Sequence, residues 1–474
     1  MKGGIFMKNY VSKLLLMFCG VIMAFIVVGC GKNYSDEIIE TKAEQDKFPE
    51  FAYDISENPY YQKDNHMIAI AENGYYFARN IFVGRDFDNL RKGNYSRVES
   101  YYSNAISDLK PYGKLIYYYD INTEKVTPLC SKADCKHNTV QCEAYFANVE
   151  NGRDGGFVYY NHRLYMVGYD GNSGIKLLSY DEHGKNQTNE CTIWEDPNYT
   201  PYVNGDNDLC ILNDNVYSWG IKNDSSDKEI QYEIVLFQTK MSEGKTDKIL
   251  TFRQTAEQFQ YTKDFLCDLE VANNKLYVKT CSIDNDIFSY TLYELEQGTQ
   301  ELKEILKTNA PIDCDKRIDG EFYASIKGFC VDNDGNIYYV DEISNQGLNL
   351  KVNLCKFNTA TKNIDIIYEI DNLIGYNLMC DDENIYFNNG GSSISSLIIM
   401  DKDGKEKYVK EYTDSCDLVG IDDRYLIVRV GLDCNLLPND NTRLDTCKLA
   451  VLGKNTIGTG NEEWKQMYNG MFMQ

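Results

Sequence analysis

From residue 64 onward the chain alternates polar turns with apolar, tyrosine-rich runs of strand length. A pair drawn from Asn, Asp, His, Glu, Gly or Lys precedes or opens each run: "ENGYYFA" at 72–78, "YNHRLYMVG" at 160–168, "LNDNVYSWG" at 212–220 and "ANNKLYVKT" at 272–280. The pattern returns as "DNDGNIYYV" at 332–340, "DDENIYFNN" at 381–389 and "IDDRYLIVR" at 421–429. Asn, Asp and Gly turns before alternating apolar positions are a strong short-range hairpin signal. A second run follows each copy and ends in a charged or glycine turn, as in "KLIYYYDINTEKV", "YEIVLFQTKMSEGKTDKI" and "SSLIIMDKDGKEK". Two hairpins per copy make a four-stranded sheet.

Tyr76, Tyr165, Tyr217, Tyr277, Tyr338, Tyr386 and Tyr425 mark the copies, at spacings of 89, 52, 60, 61, 48 and 39 residues. After the first, these intervals suit propeller blades of roughly 40–50 residues plus loops. One such sheet cannot shield both of its faces, so neighbours must stack, and a closed ring leaves no end exposed. The 38 tyrosines and 20 phenylalanines favour strands. No amphipathic helical period exceeds two turns. The expected fold is all-β, a β-propeller of seven four-stranded blades over residues 64–474. Six or eight blades fit nearly as well, because residues 79–110 make the first copy hard to parse. An open solenoid or a pair of β-sandwiches is the rival architecture.

The N-terminus follows a different rule. Lys2, Lys8 and Lys13 flank or precede an uncharged apolar run over residues 14–28. At about 15 residues it is short for a roughly 30 Å bilayer core and suits a signal peptide. It ends at Val27-Val28-Gly29-Cys30, which resembles the lipobox of bacterial lipoproteins. That resemblance implies a signal peptide over 1–29, diacylglycerol on Cys30, and a charged tether over 30–63. Two acyl anchors suffice for stable attachment, so the mature chain is expected at the cell membrane, lipid-anchored and facing the extracellular side. An uncleaved anchor or an ordinary signal peptide is the alternative.

Composition narrows the partners. The net charge of −24 argues against nucleic acid and against polybasic binding to anionic lipid. Sixteen cysteines are present, and export permits disulfides. Yet Cys210, Cys267, Cys281, Cys330, Cys355 and Cys380 sit singly in apolar runs, as small buried hydrophobes do.

One stretch is different. "PLCSKADCKHNTVQC" at 128–142 gathers Cys130, Cys135, His137 and Cys142. Three thiolates and an imidazole can close a tetrahedral Zn²⁺ shell, which with four protein ligands would be structural. The C-x4-C-x-H-x4-C spacing departs from paired C-x2-C ligands, and one disulfide with a leftover thiol, or no linkage, stays open. Leu129-Cys130, Cys135-Lys136-His137, Cys142 and Ala144-Tyr145-Phe146 resemble a segment of uncharacterised β-propeller lipoproteins of Gram-positive bacteria. The resemblance implies fold and location and carries no activity.

Other constellations read as structure. "DNDGN" at 332–336 and "DKDGK" at 401–405 suggest calcium loops but lack the closing glutamate, which leaves hairpin turns. His66, His162 and His183 stand outside any hydrolase or zincin motif. Asp381-Asp382 and Asp422-Asp423 read as solvated turns. The expected function is a membrane-anchored binding or scaffolding module for a protein, peptide or glycan ligand. A polysaccharide-acting glycosidase or lyase, with carboxylates from several blades, is the alternative.

Overall fold

The computed structural model describes residues 68–81, 113–137, 141–147 and, with interruptions, 157–469. The signal peptide, Cys30, the tether, the boundary at residue 64, His66 and His183 lie outside the described residues.

Seven sheets follow one another along the chain. The first contains strands Ile68–Ala71, Gly74–Ile81 and Gly113–Asp120, with Lys125–Pro128 and Tyr145–Ala147 sharing its outer edge. The others occupy 157–194, 199–254, 267–311, 329–371, 376–412 and 416–469. Each innermost strand packs on the next, and that of the last sheet packs on Ile68–Ala71. The chain is therefore a seven-bladed β-propeller. The longest helix among the described residues, Ala256–Thr262, is capped reciprocally by Thr255 and Gln258.

The turns obey the chemistry their sequences announce. Asn161-His162, Asn213-Asp214 and Asn273-Asn274 hold positive φ at both central positions, as a type I′ hairpin requires. In later blades an aspartate does the work. Asp332 Oδ1 accepts the amides of Asp334 and Asn336 at 3.0 and 2.8 Å, while Oδ2 accepts the Tyr338 hydroxyl at 2.8 Å. Asp381 repeats this with the amides of Glu383 and Asn384 and the Tyr386 hydroxyl. Asp401 accepts the amides of Asp403 and Lys405. These carboxylates are occupied in closing turns.

The seventh blade departs from the pattern, and the departure closes the ring. Asp422 caps the amides of Arg424 and Tyr425 at 2.7 Å, but Tyr425 opens its strand, and Ile427 fills the slot that Tyr386 fills in the sixth blade. The tyrosine marker thus slips by two residues at this copy. The missing phenol comes from the first blade: the Tyr75 hydroxyl donates to Asp422 Oδ2 at 2.6 Å. Arg424 Nη2 donates to the Glu72 carbonyl at 3.2 Å, and Lys465 pairs with Glu124 at 2.6 Å. Beneath these bonds Ile427, Leu449, Val451 and Met467 share one apolar cluster with Tyr75, Phe77 and Tyr119. Among the described residues no sheet mixes strands from the two ends. Among the described residues, each of these hydrogen bonds and the ion pair between the first blade and the last uses at least one side chain.

The outer edge of the blades carries a recurrent irregularity. Opposite Leu177, Leu236, Leu292, Leu354 and Leu449 the fourth strand holds one residue too many: Glu190, Ile249, Ile305, Ile367 and Met467 fall out of register. These are β-bulges, which an edge strand accommodates readily. In the first blade the equivalent point is Ile116. Its carbonyl accepts the Leu129 amide at 2.8 Å and its amide donates to the Ala144 carbonyl at 2.9 Å. The described residues 130–137 and 141–143 lie outside the sheet, between those two bonds.

Two outcomes follow from this architecture. Tyr75→Phe leaves the Asp422 carboxylate without its phenol donor and is expected to cost about 1.5–3 kcal/mol, read as a lower urea midpoint. The second concerns Glu270, on an innermost strand, which accepts the Val331 amide at 3.0 Å from the next blade. Burial, with help from nearby Asp268, lifts its carboxyl from 4.5 to about 8. A folded-state value above the unfolded one gives stability that is full below about pH 4.5 and is lost as pH rises through 8. Glu270→Gln should flatten that part of the stability profile and stabilise the protein at pH 8 and above, as thermal melts across pH would show.

Candidate metal centre and the adjoining cleft

The excursion at 130–143 is pinned at its neck, and its first and near-last residues are cysteines. Cys130 follows Leu129 directly, and Cys142 lies two residues before Ala144. The neck is laced further: Glu143 Oε2 accepts the amide and hydroxyl of Ser131 at 2.9 and 2.8 Å, and Lys132 Nζ donates to the Gln141 carbonyl at 2.8 Å. Between them a turn closed by Cys135 N to Lys132 O, at 3.2 Å, lifts Cys135 back toward the neck. His137 holds φ at +55°, a left-handed conformation uncommon outside glycine. Its Nδ1 lies 3.4 Å from Cys142 Sγ.

The outcome is convergence. One ligand atom from each of Cys130, Cys135, His137 and Cys142 lies within 4.8 Å of every other. Cys142 is buried, and the other three are half-buried. Cys130, Cys135 and Cys142 are not joined in a disulfide. Burial disfavours a charged Cys130, but the amides of Lys132 and Glu143 and the thiols of Cys135 and Cys142 donate to it and hold it below the ordinary thiol value. Burial pushes the Cys142 thiol up, with the nearby sulfurs of Cys130 and Cys135 adding to the effect. Burial also lowers His137, which favours the neutral imidazole. This set can hold a soft or borderline metal ion or form a disulfide.

Beside the loop, between the first and second blades, lies a cleft of about 560 Å³. Tyr76, Tyr118 and Tyr159 give it aromatic surface: the Tyr76 ring centroid is 4.8 Å from that of Tyr118 and 5.7 Å from that of Tyr159. Cys130 and Ser131 form part of the wall, so the loop and the cleft share a boundary. Glu72 and Glu182 bring carboxylates, and His162 stands between them, Nδ1 at 2.9 Å from Glu182 and Nε2 at 4.0 Å from Glu72. Tyr159 also donates to Glu182 at 2.6 Å. Burial, then these carboxylates, raise the Tyr159 hydroxyl, and burial with the other two tyrosines and Glu182 raises that of Tyr76. Every described residue of fixed charge lining the cleft is acidic.

The sequence brought the four cysteine and histidine positions to notice but missed the cleft. His162, read as isolated, is engaged by Glu182 and Tyr159. The lining comes from turns and strands of two blades scattered over residues 71–182, so no local spacing announces it. Trp194 and Trp219 are packing residues. Trp194 stacks on Phe237 at 4.9 Å, and Trp219 is buried.

No protein-family profile matches the sequence, and no curated protein matches it. Solved structures resemble the fold. A prolyl endopeptidase aligns over 85% of this chain at 9% identity and a TM-score of 0.44, and the chain spans 50% of that protein's length. An ulvan lyase, a polysaccharide lyase, aligns over 86% of this chain and 95% of its own at 10% identity and a TM-score of 0.36. The Nup133 β-propeller domain of Vanderwaltozyma polyspora aligns over 68% of this chain and 88% of its own, at 9% identity and a TM-score of 0.36. These likenesses, to two enzymes and a domain of a third protein, transfer no residue role to this chain.

Proposed function

We propose that the chain is an exported lipoprotein, acylated on Cys30, whose propeller binds a peptide segment bearing a basic side chain in the cleft between its first two blades. The cleft carries the reading. Its aromatic surface offers large, rigid contact area and attracts cations, and its described fixed charges are the carboxylates of Glu72 and Glu182. A chain of net charge −24 favours approach by basic partners and disfavours nucleic acid. The apolar run ending in Val27-Val28-Gly29-Cys30 supports attachment to the outer face of a cell membrane, where extracytoplasmic peptides are accessible.

Two measurements test it. Cys30→Ser should move the protein from the membrane fraction to the soluble fraction of the producing cell, and unchanged membrane retention would refute acylation at that residue. A fluorescent lysine-containing peptide should bind the wild-type protein and lose about tenfold in affinity to the Glu72→Gln/Glu182→Gln variant, as two rim charges worth roughly 0.5–1 kcal/mol each imply. Added salt should weaken the wild type more than the variant. Equal binding of the lysine-acetylated peptide, or competition by a neutral oligosaccharide, would overturn the basic-peptide reading.

A further inference from the structure

We infer that Cys130, Cys135, His137 and Cys142 bind one Zn²⁺ as a closed structural site that clasps the outer-edge loop of the first blade. This inference stands apart from the peptide-binding reading. Around a zinc ion with bonds of about 2.0–2.3 Å, tetrahedral donors sit roughly 3.5–4 Å from one another. The four donor atoms already lie within 4.8 Å of each other, close to that spacing, so small side-chain rotations can bring them onto one ion.

Two further observations favour a metal over a disulfide, and a third places the outermost ligands. First, a Cys–Cys bond needs two sulfurs, yet a third thiol and an imidazole point into the same space. His137 adopts positive φ in doing so, placing Nδ1 3.4 Å from Cys142 Sγ. Second, each sulfur is met by the amide two residues on. His137 N lies 3.4 Å from Cys135 Sγ, while the amides of Lys132 and Ala144 donate to Cys130 and Cys142, with Glu143 adding a second donor to Cys130. Amide donors of this kind are the outer shell that orients thiolate ligands and offsets their charge. Third, the neck bonds of Leu129 and Ala144 to Ile116 fix the outermost ligands to a sheet, which pre-organises the site.

With four protein donors no position is open to substrate, and the ion is structural. Binding converts three thiols to thiolates and releases three protons to solvent, with His137 supplying the Nδ1 lone pair and keeping its proton on Nε2. Zinc affinity therefore falls as pH is lowered. The clasp also holds Cys130 and Ser131 in the cleft wall, against which the second blade is fitted closely. Gly184, at φ +74°, passes so near that a Cβ there would stand 2.0 Å from the Leu129 carbonyl.

The test uses the purified full chain in detergent. Elemental analysis and native mass spectrometry should give one zinc per chain, and cobalt exchanged into the site should show the intense visible and thiolate-to-metal bands of a tetrahedral three-sulfur centre. His137→Cys should keep one metal per chain with its cobalt bands altered toward a four-sulfur site. His137→Ala should lose at least the roughly 10- to 100-fold in affinity that even outer-shell partners contribute. Peptide mapping without reductant that finds a crosslink among Cys130, Cys135 and Cys142 would overturn the site, as would an octahedral cobalt spectrum. Zinc affinity unchanged in His137→Ala would overturn the assignment of the fourth ligand.

Discussion

A four-stranded blade presents two apolar faces, and neither can be covered from within the blade. Everything else in this molecule depends on that constraint. Six of the junctions join sequence neighbours, and the core clusters run from one blade into the next, as where Tyr277 and Leu292 pack with Phe329 and Ile337. The seventh junction must join the two ends of the chain. Among the described residues it is made without exchanging a strand, by an apolar cluster under a layer of polar bonds. The phenol–carboxylate bond that closes turns within the fifth and sixth blades is reused there between blades, with Tyr75 on one side and Asp422 on the other. The substitution of Ile427 at the usual tyrosine slot is what leaves Asp422 available.

The same constraint explains where new chemistry is tolerated. The two middle strands of a blade are paired along both edges, but the outer strand is paired along one only. Single-residue bulges recur there, and the cysteine-histidine loop occupies the corresponding point of the first blade, opposite Ile116. The insertion keeps both ladder bonds to Ile116 and interrupts no other blade. Because both ends of the loop emerge at one residue, Cys130 and Cys142 are brought together by the sheet itself. Only Cys135 and His137 depend on the loop's own turns. The metal clasp proposed at this neck would stabilise the loop and hold the cleft wall next to it, which Cys130 and Ser131 help to form.

How much of this was legible from residues alone differs from feature to feature. The blade count and strand pairs could be read because turn chemistry is local: Asn273-Asn274 or the Asp332 turn needs only its neighbours to announce itself. The cysteine-histidine quartet was visible because three cysteines and one of four histidines crowd between residues 130 and 142. The marker at Tyr425 misled, since a tyrosine two positions early still looks like an apolar-aromatic strand. His162 looked solitary because its partner Glu182 belongs to another turn of the same blade and Glu72 to a different blade.

The amino-acid order by itself determined the repeated hairpins, the acidic character, the apolar leader before Cys30 and the presence of four donor side chains. These depend on periodicity, composition and spacing over a few residues, where backbone sterics and side-chain alternation suffice. The three-dimensional fold decided how the ring closes, that the four donors converge, and that tyrosines and carboxylates from two blades form one cleft. Those features depend on which surfaces meet after stacking. Stacking is set by packing between segments tens to hundreds of residues apart, a distance over which no local pattern carries information.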